Sequence, residues 1–156
     1  NNLKNTKNFN FDFEQNINKK IEKGNCIIEY PKKIYCEYSG GNDKILVSNG
    51  KSLVIKTKVS YYRYPLNKTP LYLILDKNFL INKINKLEER IIDNSIINFT
   101  IKENNYEVNI FFDERTFNLI GWQTKDVYQN LNITFLSSIN KNEVIEKNIF
   151  KLPIQN

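Results

Sequence analysis

Cys26 and Cys36 are the only cysteines, and no histidine occurs in the 156-residue sequence. Without histidine the commonest general base and the commonest zinc ligand are missing. Two cysteines ten residues apart lack the partners of a structural zinc site, so no metal is expected. The carboxylates Glu88-Glu89 and Asp113-Glu114 are adjacent pairs. Strand neighbours point to opposite faces, and the second pair falls at a turn, so neither forms a catalytic dyad. Asp43 and Asp93 sit in predicted turns, where bonding to the local backbone accounts for them. No glycine-rich phosphate loop or nucleophile elbow occurs. No catalytic residue and no cofactor are expected, and the chain reads as a non-enzyme.

The chemistry that remains is thiol oxidation. Residues 28–30 and 33–35 read as strands around a turn at Pro31-Lys32. That turn sets residue 28 opposite 34 and residue 26 opposite 36, with both sulfurs on the face of Ile28 and Ile34. Directly opposed residues have Cβ atoms about 4.5–5.5 Å apart, close to disulfide reach. A disulfide suits a non-cytosolic compartment. The alternative is two buried free thiols packing as small hydrophobes.

Elements must position these groups, and strand signals dominate. Residues 9–14 alternate strictly, with Phe9, Phe11 and Phe13 on one face. Residues 44–48 and 51–56 flank Asn49-Gly50, a strong hairpin signal in which both central residues are expected at positive φ. Residues 86–92 turn at Asp93-Asn94 into 96–102, and Asn104-Asn105 leads into 106–112. After a turn near 113–116, residues 119–124 and 130–137 form a last pair, and 149–152 a short edge strand. Short strands at this spacing indicate an all-β sandwich or barrel. Few segments are apolar on both faces, so one curved sheet is expected, in a single domain over residues 1–156.

Residues 64–76 break this rhythm. Thr69 suits an N-cap and Pro70 a first helical position. Leu71, Ile74 and Leu75 then share a face, and the helix is expected to end near Asn78. So short a helix needs an apolar platform, here the concave face of the sheet. The strand faces Tyr106/Val108/Ile110/Phe112 and Leu131/Ile133/Phe135 offer more apolar surface than one helix covers. A second helix from residues 1–8 or 79–86 fills the gap, or a ligand does. An acyl chain fits, because each buried CH₂ contributes about 0.8 kcal/mol without directional contacts.

Net charge is +6 and pI about 9.2. The lysines are scattered, only Arg63, Arg90 and Arg115 are arginines, and alanine is absent. That is the composition of an AT-rich coding sequence, without the clustered arginine forks of phosphate recognition, and no nucleic acid is expected. No run approaches the roughly 18 apolar residues of a membrane span, so no stable membrane insertion is expected. The absence of Met leaves open a removed leader or a late start.

The order Phe11-Asp12-Phe13-Glu14-Gln15, Gly24, Tyr30-Pro31 and Val47-Ser48-Asn49-Gly50-Lys51-Ser52-Leu53 resembles the LolA family of periplasmic outer-membrane lipoprotein carriers. Tyr64-Pro65-Leu66, Thr69-Pro70-Leu71, Leu75, Gly121-Trp122, Asp126 before residues 130–135, and Phe150 to Pro153 continue the resemblance. It implies a mainly β fold, an incomplete antiparallel barrel with a short helical lid over an apolar cavity. It further implies acylated lipoproteins as cargo, taken from an inner-membrane exporter and passed to an outer-membrane receptor. The expected location is the periplasm and the expected state a monomer.

The cavity is expected to be lined by Phe9, Phe11, Phe13, Ile28, Tyr30, Ile34, Leu53, Ile55, Ile110, Phe112, Trp122, Ile133 and Phe135. Leu66, Leu71, Ile74 and Leu75 form the lid. Tyr30 stands where many family members carry an Arg that bonds to the lid, so closure is expected to be mainly hydrophobic. Residues 1–8 are polar where the family has a helix. A receptor or lipoprotein-sensing regulator of the same fold is the nearest alternative. A basic barrel binding nucleic acid through Tyr61, Tyr62 and Tyr64 is the alternative from another class.

Overall fold

The computed structural model describes residues 4–17, 19–86, 90–93, 95–103, 106–125, 131–146 and 148–155. The first part of the chain forms β1 (Asn8–Ile17), β2 (Lys20–Glu29), β3 (Lys33–Tyr38), β4 (Ile45–Asn49), β5 (Ser52–Lys56) and β6 (Tyr61–Pro65), with apolar and polar residues alternating most clearly in β1 and β3. A 3₁₀ turn (Leu66–Lys68), α1 (Leu71–Ile74) and α2 (Lys77–Ile84) follow. The rest forms β7 (Arg90–Asp93), β8 (Ile96–Glu103), β9 (Tyr106–Asp113), β10 (Leu119–Lys125) and β11 (Leu131–Lys141). All the pairings are antiparallel, in the order β6-β5-β4-β3-β2-β1-β11-β10-β9-β8-β7. Two meanders are thus joined where β1 pairs with β11. The edges β6 and β7 do not pair among the described residues, so the curved sheet stays open as an incomplete barrel.

The first turns follow the sequence closely. Cys26 opposes Cys36 and Ile28 opposes Ile34, as expected, across a loop of residues 30–32 centred on Pro31, and the two sulfurs are bonded at 2.07 Å. At the next hairpin only Gly50 takes a positive φ, 102°. Asn49 instead accepts from the Lys51 and Ser52 amides at 2.9 and 3.0 Å, so its side chain, and not a left-handed backbone, closes the turn.

Several expectations need correction. The β1–β2 hairpin extends to Ile17 and begins again at Lys20, through a stretch too polar to read as strand. Tyr61–Pro65 is an edge strand, so residues 64 and 65 still belong to the sheet and the break in the strand rhythm begins after them. Residues 149–152 form a turn and a bend, with Phe150 buried, and not a strand. That tail lies by the β5–β6 edge, where Pro153 O accepts from the Tyr61 hydroxyl at 3.1 Å. Of the strand expected over 86–92, residues 90–92 lie in β7 and residues 87–89 fall outside the described set, as do Asn94, Asn104, Asn105 and Asp126.

The lid helix is also shorter than expected. The Thr69 hydroxyl donates to the Leu66 carbonyl at 2.8 Å, which closes the 3₁₀ turn instead of capping α1. α1 ends at Ile74 with Leu75 as its C-cap, and Asp76 caps α2 by accepting from the Phe79 amide at 3.1 Å. α2 overlaps the second helix expected over 79–86.

The largest correction concerns β11. Its register against β1 slips between Asn10 and Asp12, opposite Ser138, whose φ is 52°. This bulge swaps the faces: Ile139 packs on the core, yet Leu136 and Thr134 are the inward residues beyond it. Phe135 is 53% exposed on the convex face, and Ile133 shares its parity. There the Phe135 ring covers Gly121, where a Cβ would collide with the Thr134 carbonyl.

Candidate functional site

A cavity of about 500 Å³, partly open to solvent, lies between the concave face and the segment leading into α1. Of the residues expected to line it, Phe13, Ile34, Leu53, Ile55 and Trp122 do so, together with the Cys26–Cys36 disulfide and Leu71 of the lid. Phe9, Phe11, Ile28, Ile110 and Phe112 are buried in the packed core beside the cavity. Leu66, Ile74 and Leu75 belong to that core as well. Tyr30 packs against it, its ring 6.0 Å from that of Phe9. Ile133 and Phe135 are turned away on the far face by the bulge.

Other lining residues were missed. Gln15 and Ile17 continue the phase of Phe13, and Tyr38 that of Cys36, so strict alternation extended further finds them. Leu46 opposes Cys36 and was legible in the same way. Lys44, Tyr64, Lys68 and Thr124 also contribute, as do Asn132 and Thr134, which no sequence signal marked once the bulge was unseen. The polar groups are largely organised. Gln15 Nε2 donates to Thr134 Oγ1 at 3.1 Å, and the Tyr38 hydroxyl donates to Gln15 Oε1 at 3.5 Å. Lys44 Nζ sits 3.0 and 3.2 Å from the two Glu22 carboxylate oxygens and 4.3 Å from the Tyr38 ring centroid. Burial, with the Glu22 carboxylate adding to it, pushes the Tyr38 hydroxyl well above its usual pKa.

Hydrophobic contact is not all that holds the lid. The Tyr30 hydroxyl is buried and has no hydrogen-bond partner among the described residues, so it makes no bond to the lid. Burial raises its pKa. Lys32, two positions on, supplies the tie. Its amide donates to the Leu75 carbonyl at 3.0 Å, and its ammonium lies 3.6 Å from Asp76 and 4.1 Å from the Tyr72 ring centroid. Burial works to lower the Lys32 pKa, but Tyr72 and the Asp76 carboxylate outweigh it and the net shift is upward. Closure therefore combines hydrophobic contact with a charged, hydrogen-bonded latch on the turn between β2 and β3.

The tyrosines of β6 do not form one stacking platform. Tyr62 and Tyr64 are stacked, their centroids 6.5 Å apart, while Tyr61 alternates to the other face and is tied to Pro153. Among the described residues no helix is long and apolar enough to cross a membrane.

Comparison with known proteins agrees with this architecture. The sequence matches the family described as "Outer membrane lipoprotein carrier protein LolA" over residues 4–153. No curated protein matches it at a significant level. Among solved structures, an uncharacterized conserved protein from Thermus thermophilus superposes with a TM-score of 0.54 at 6% identity, covering 96% of this chain and 87% of that one. A DUF1329 family protein from Desulfovibrio piger gives 0.51 at 8% identity, covering 96% and 92%. A LolA superfamily protein from Nitrosomonas europaea gives 0.49 at 8% identity, covering 93% and 89%. At such identities the first two speak for the fold alone. The family match spans nearly the whole sequence, and on that ground the chain belongs to the LolA family.

Proposed function

We propose that the chain is a periplasmic carrier that shields lipoprotein acyl chains in this cavity and shuttles them from the inner to the outer membrane. The observation that supports the reading is the hollow itself: a cavity of about 500 Å³ with Phe13, Ile34, Leu53 and Trp122 in its walls and the lid segment beside it. Benzene fills an engineered cavity of about 150 Å³, or roughly 25 Å³ per carbon. At that density the hollow takes about twenty carbons, the size of one long acyl chain. Apolar burial is non-directional, so it rewards any acyl chain and leaves the cargo free to be handed on. Displacement of residues 68–71 together with α1, against the Lys32 latch, opens the route.

The test is release from membranes. Purified protein added to inner-membrane vesicles with their exporter should leave lipoprotein in the supernatant. Leu53→Trp, which fills the cavity, should keep its circular dichroism spectrum and lose this effect. Lipoprotein that stays in the membrane pellet with the unaltered protein sinks the proposal.

A further inference from the structure

Among the described residues no strand pairs with the outer side of β6, which ends the sheet. The phase of its ladder with β5 is fixed by two flanking bonds. The Thr57 amide donates to the Ser60 carbonyl at 3.0 Å, and the Leu66 amide to the Lys51 carbonyl at 2.8 Å. Bonded pairs alternate along an antiparallel ladder, so Ile55–Tyr62 and Leu53–Tyr64 are bonded pairs as well. Tyr62 and Tyr64 therefore direct their backbone groups to β5. Tyr61 and Arg63 each turn an N–H and a C=O away from the sheet. Pro65 adds a carbonyl on that side and no donor. Such a row is a template for one more strand.

The side chains define what kind of strand fits. Tyr62 and Tyr64 are stacked, with ring planes 11° apart. Tyr64 lines the cavity of about 500 Å³, and Tyr62 lines a second hollow of about 670 Å³ beside it. Arg63, opposite Val54, is exposed on the other face, where its guanidinium donates to the neutral Ser52 hydroxyl at 3.3 Å. From residue 45 to residue 75 the chain holds Lys51, Lys56, Lys58, Arg63 and Lys68, and neither Asp nor Glu. Asp43, just before this stretch, reaches Lys58 only at 4.0 Å, with both side chains largely exposed. The formal charge of the edge hairpin is thus strongly positive, and it complements an acidic partner.

A second copy of the chain fits this edge poorly. Pairing β6 with its own copy about Arg63 sets two guanidinium groups opposite each other, which is destabilising. An anionic membrane matches the charge but offers no strand to the outward N–H and C=O groups.

We propose that the β6 edge docks an extended acidic segment of a partner protein, which joins the sheet as a further antiparallel strand at the lip of the cavity. Partner residues opposite Tyr61 and Arg63 bond through their backbones and carry carboxylates. Those between them carry β-branched or aromatic side chains, which pack against Tyr62 and Tyr64. Docking in this way extends the wall of the cavity past Tyr64. The site goes beyond the carrier reading and needs no lipid to be defined.

The probe is a fluorescein-labelled peptide of alternating Glu and Val, titrated by anisotropy against the lipid-free protein. It should bind, slow amide exchange at Tyr61 and Arg63, and outbind its Lys–Val counterpart. N-methylation at the glutamates keeps their charge, removes the N–H groups that face β6 and should abolish binding. Arg63→Glu replaces an attractive cross-strand pair by a repulsive one and should weaken Glu–Val binding about tenfold. The same variant should gain affinity for the Lys–Val peptide, which a damaged fold cannot do.

A Glu–Val peptide that fails to bind at roughly 1 mM overturns the proposal. Equal binding of the methylated peptide, or protection of amides away from β6, overturns it too, because charge attraction alone then suffices. Binding to phosphatidylglycerol vesicles without binding to the peptide assigns the surface to a membrane instead. A sedimenting dimer that protects the Tyr61 and Arg63 amides assigns the edge to a second copy, and either result sinks the acidic-strand reading. Release of lipoprotein from vesicles is measured separately, so each reading can fail without the other.

Discussion

Strands β8 and β9 bury Ile97, Phe99, Ile101, Val108, Ile110 and Phe112 to 1% exposure or less, with Phe99 and Phe112 meeting edge to face at 5.9 Å. Strands β2 to β5 carry the same inward alternation, yet Cys26, Ile34, Leu53 and Ile55 look onto the cavity. One half of the sheet is packed and the other hollow. Atoms that line a void lack partners on one side and forgo dispersion energy, so a hollow wall needs other means of holding its shape. Here a disulfide crosslinks two adjacent wall strands. Turn contacts add to it: Ser48 Oγ donates to the Lys32 carbonyl at 2.8 Å and accepts from the Gly50 amide at 3.1 Å. The difference shows that binding space costs packing, and that covalent and hydrogen-bonded stiffening partly replaces what is lost.

The contrast can be broken most directly by truncation. Phe112→Ala in the packed half should lower unfolding free energy by about 3–5 kcal/mol, read by urea denaturation. Leu53→Ala on the cavity wall should cost about 2 kcal/mol, because that side chain already faces empty space. Equal losses, scaled for size, would mean that the two halves are packed alike.

Next in size is the crosslink. Replacing Cys26 and Cys36 together by Ser should cost about 3 kcal/mol, the loop-closure entropy for their separation of ten residues. The unaltered protein should show the same loss in reductant and the variant no further change. A variant as stable as its parent would show that the wall stands without its staple.

The smallest effect separates two turns. In the packed half, Asp113 Oδ1 accepts from the Arg115 and Thr116 amides at 2.8 and 3.0 Å, and these backbone bonds hold its carboxyl below the usual range. A folded pKa below the unfolded one contributes stability above the ordinary carboxylate value and loses it as pH falls through the folded value. The stability deficit of Asp113→Asn should therefore shrink as the solution is acidified below about pH 4. The hollow half closes its matching turn with the uncharged Asn49, and Asn49→Ala should show a deficit without that acid dependence. A constant deficit for Asp113→Asn would undo the distinction.

Legibility in the sequence follows the same division. The Cys26–Cys36 register could be read because a tight turn around Pro31 fixes it, and the Phe9–Phe13 face because every second residue is large and apolar. β2 was missed in its first half because Lys20 and Glu22 line a polar hollow, where core-like alternation has no reason to exist. β6 was missed because Tyr62, Arg63 and Tyr64 are exposed, leaving no hydrophobic phase to detect. For β11, counting back from Ile139 along an unbulged strand puts Phe135 inside. One extra residue at Ser138 reverses every side chain before it, and a single serine carries no signal of that. The cavity's apolar wall was legible where it continued a strand's pattern. Its polar rim was not, because Lys44 and Asn132 read as surface until the curved sheet brings them together.

The seam between β1 and β11 has a consequence for how such a chain is made. The Lys7 amide donates to Asn142 Oδ1 across 135 positions of sequence, and the ladder beside it runs from Phe9–Lys141 to Ile17–Asn132. A polypeptide delivered from one end can form either meander locally, but it cannot join them until both have emerged. During that interval β1 offers an unpaired edge to any passing strand. Closure of the whole sheet therefore waits on delivery of the final strand.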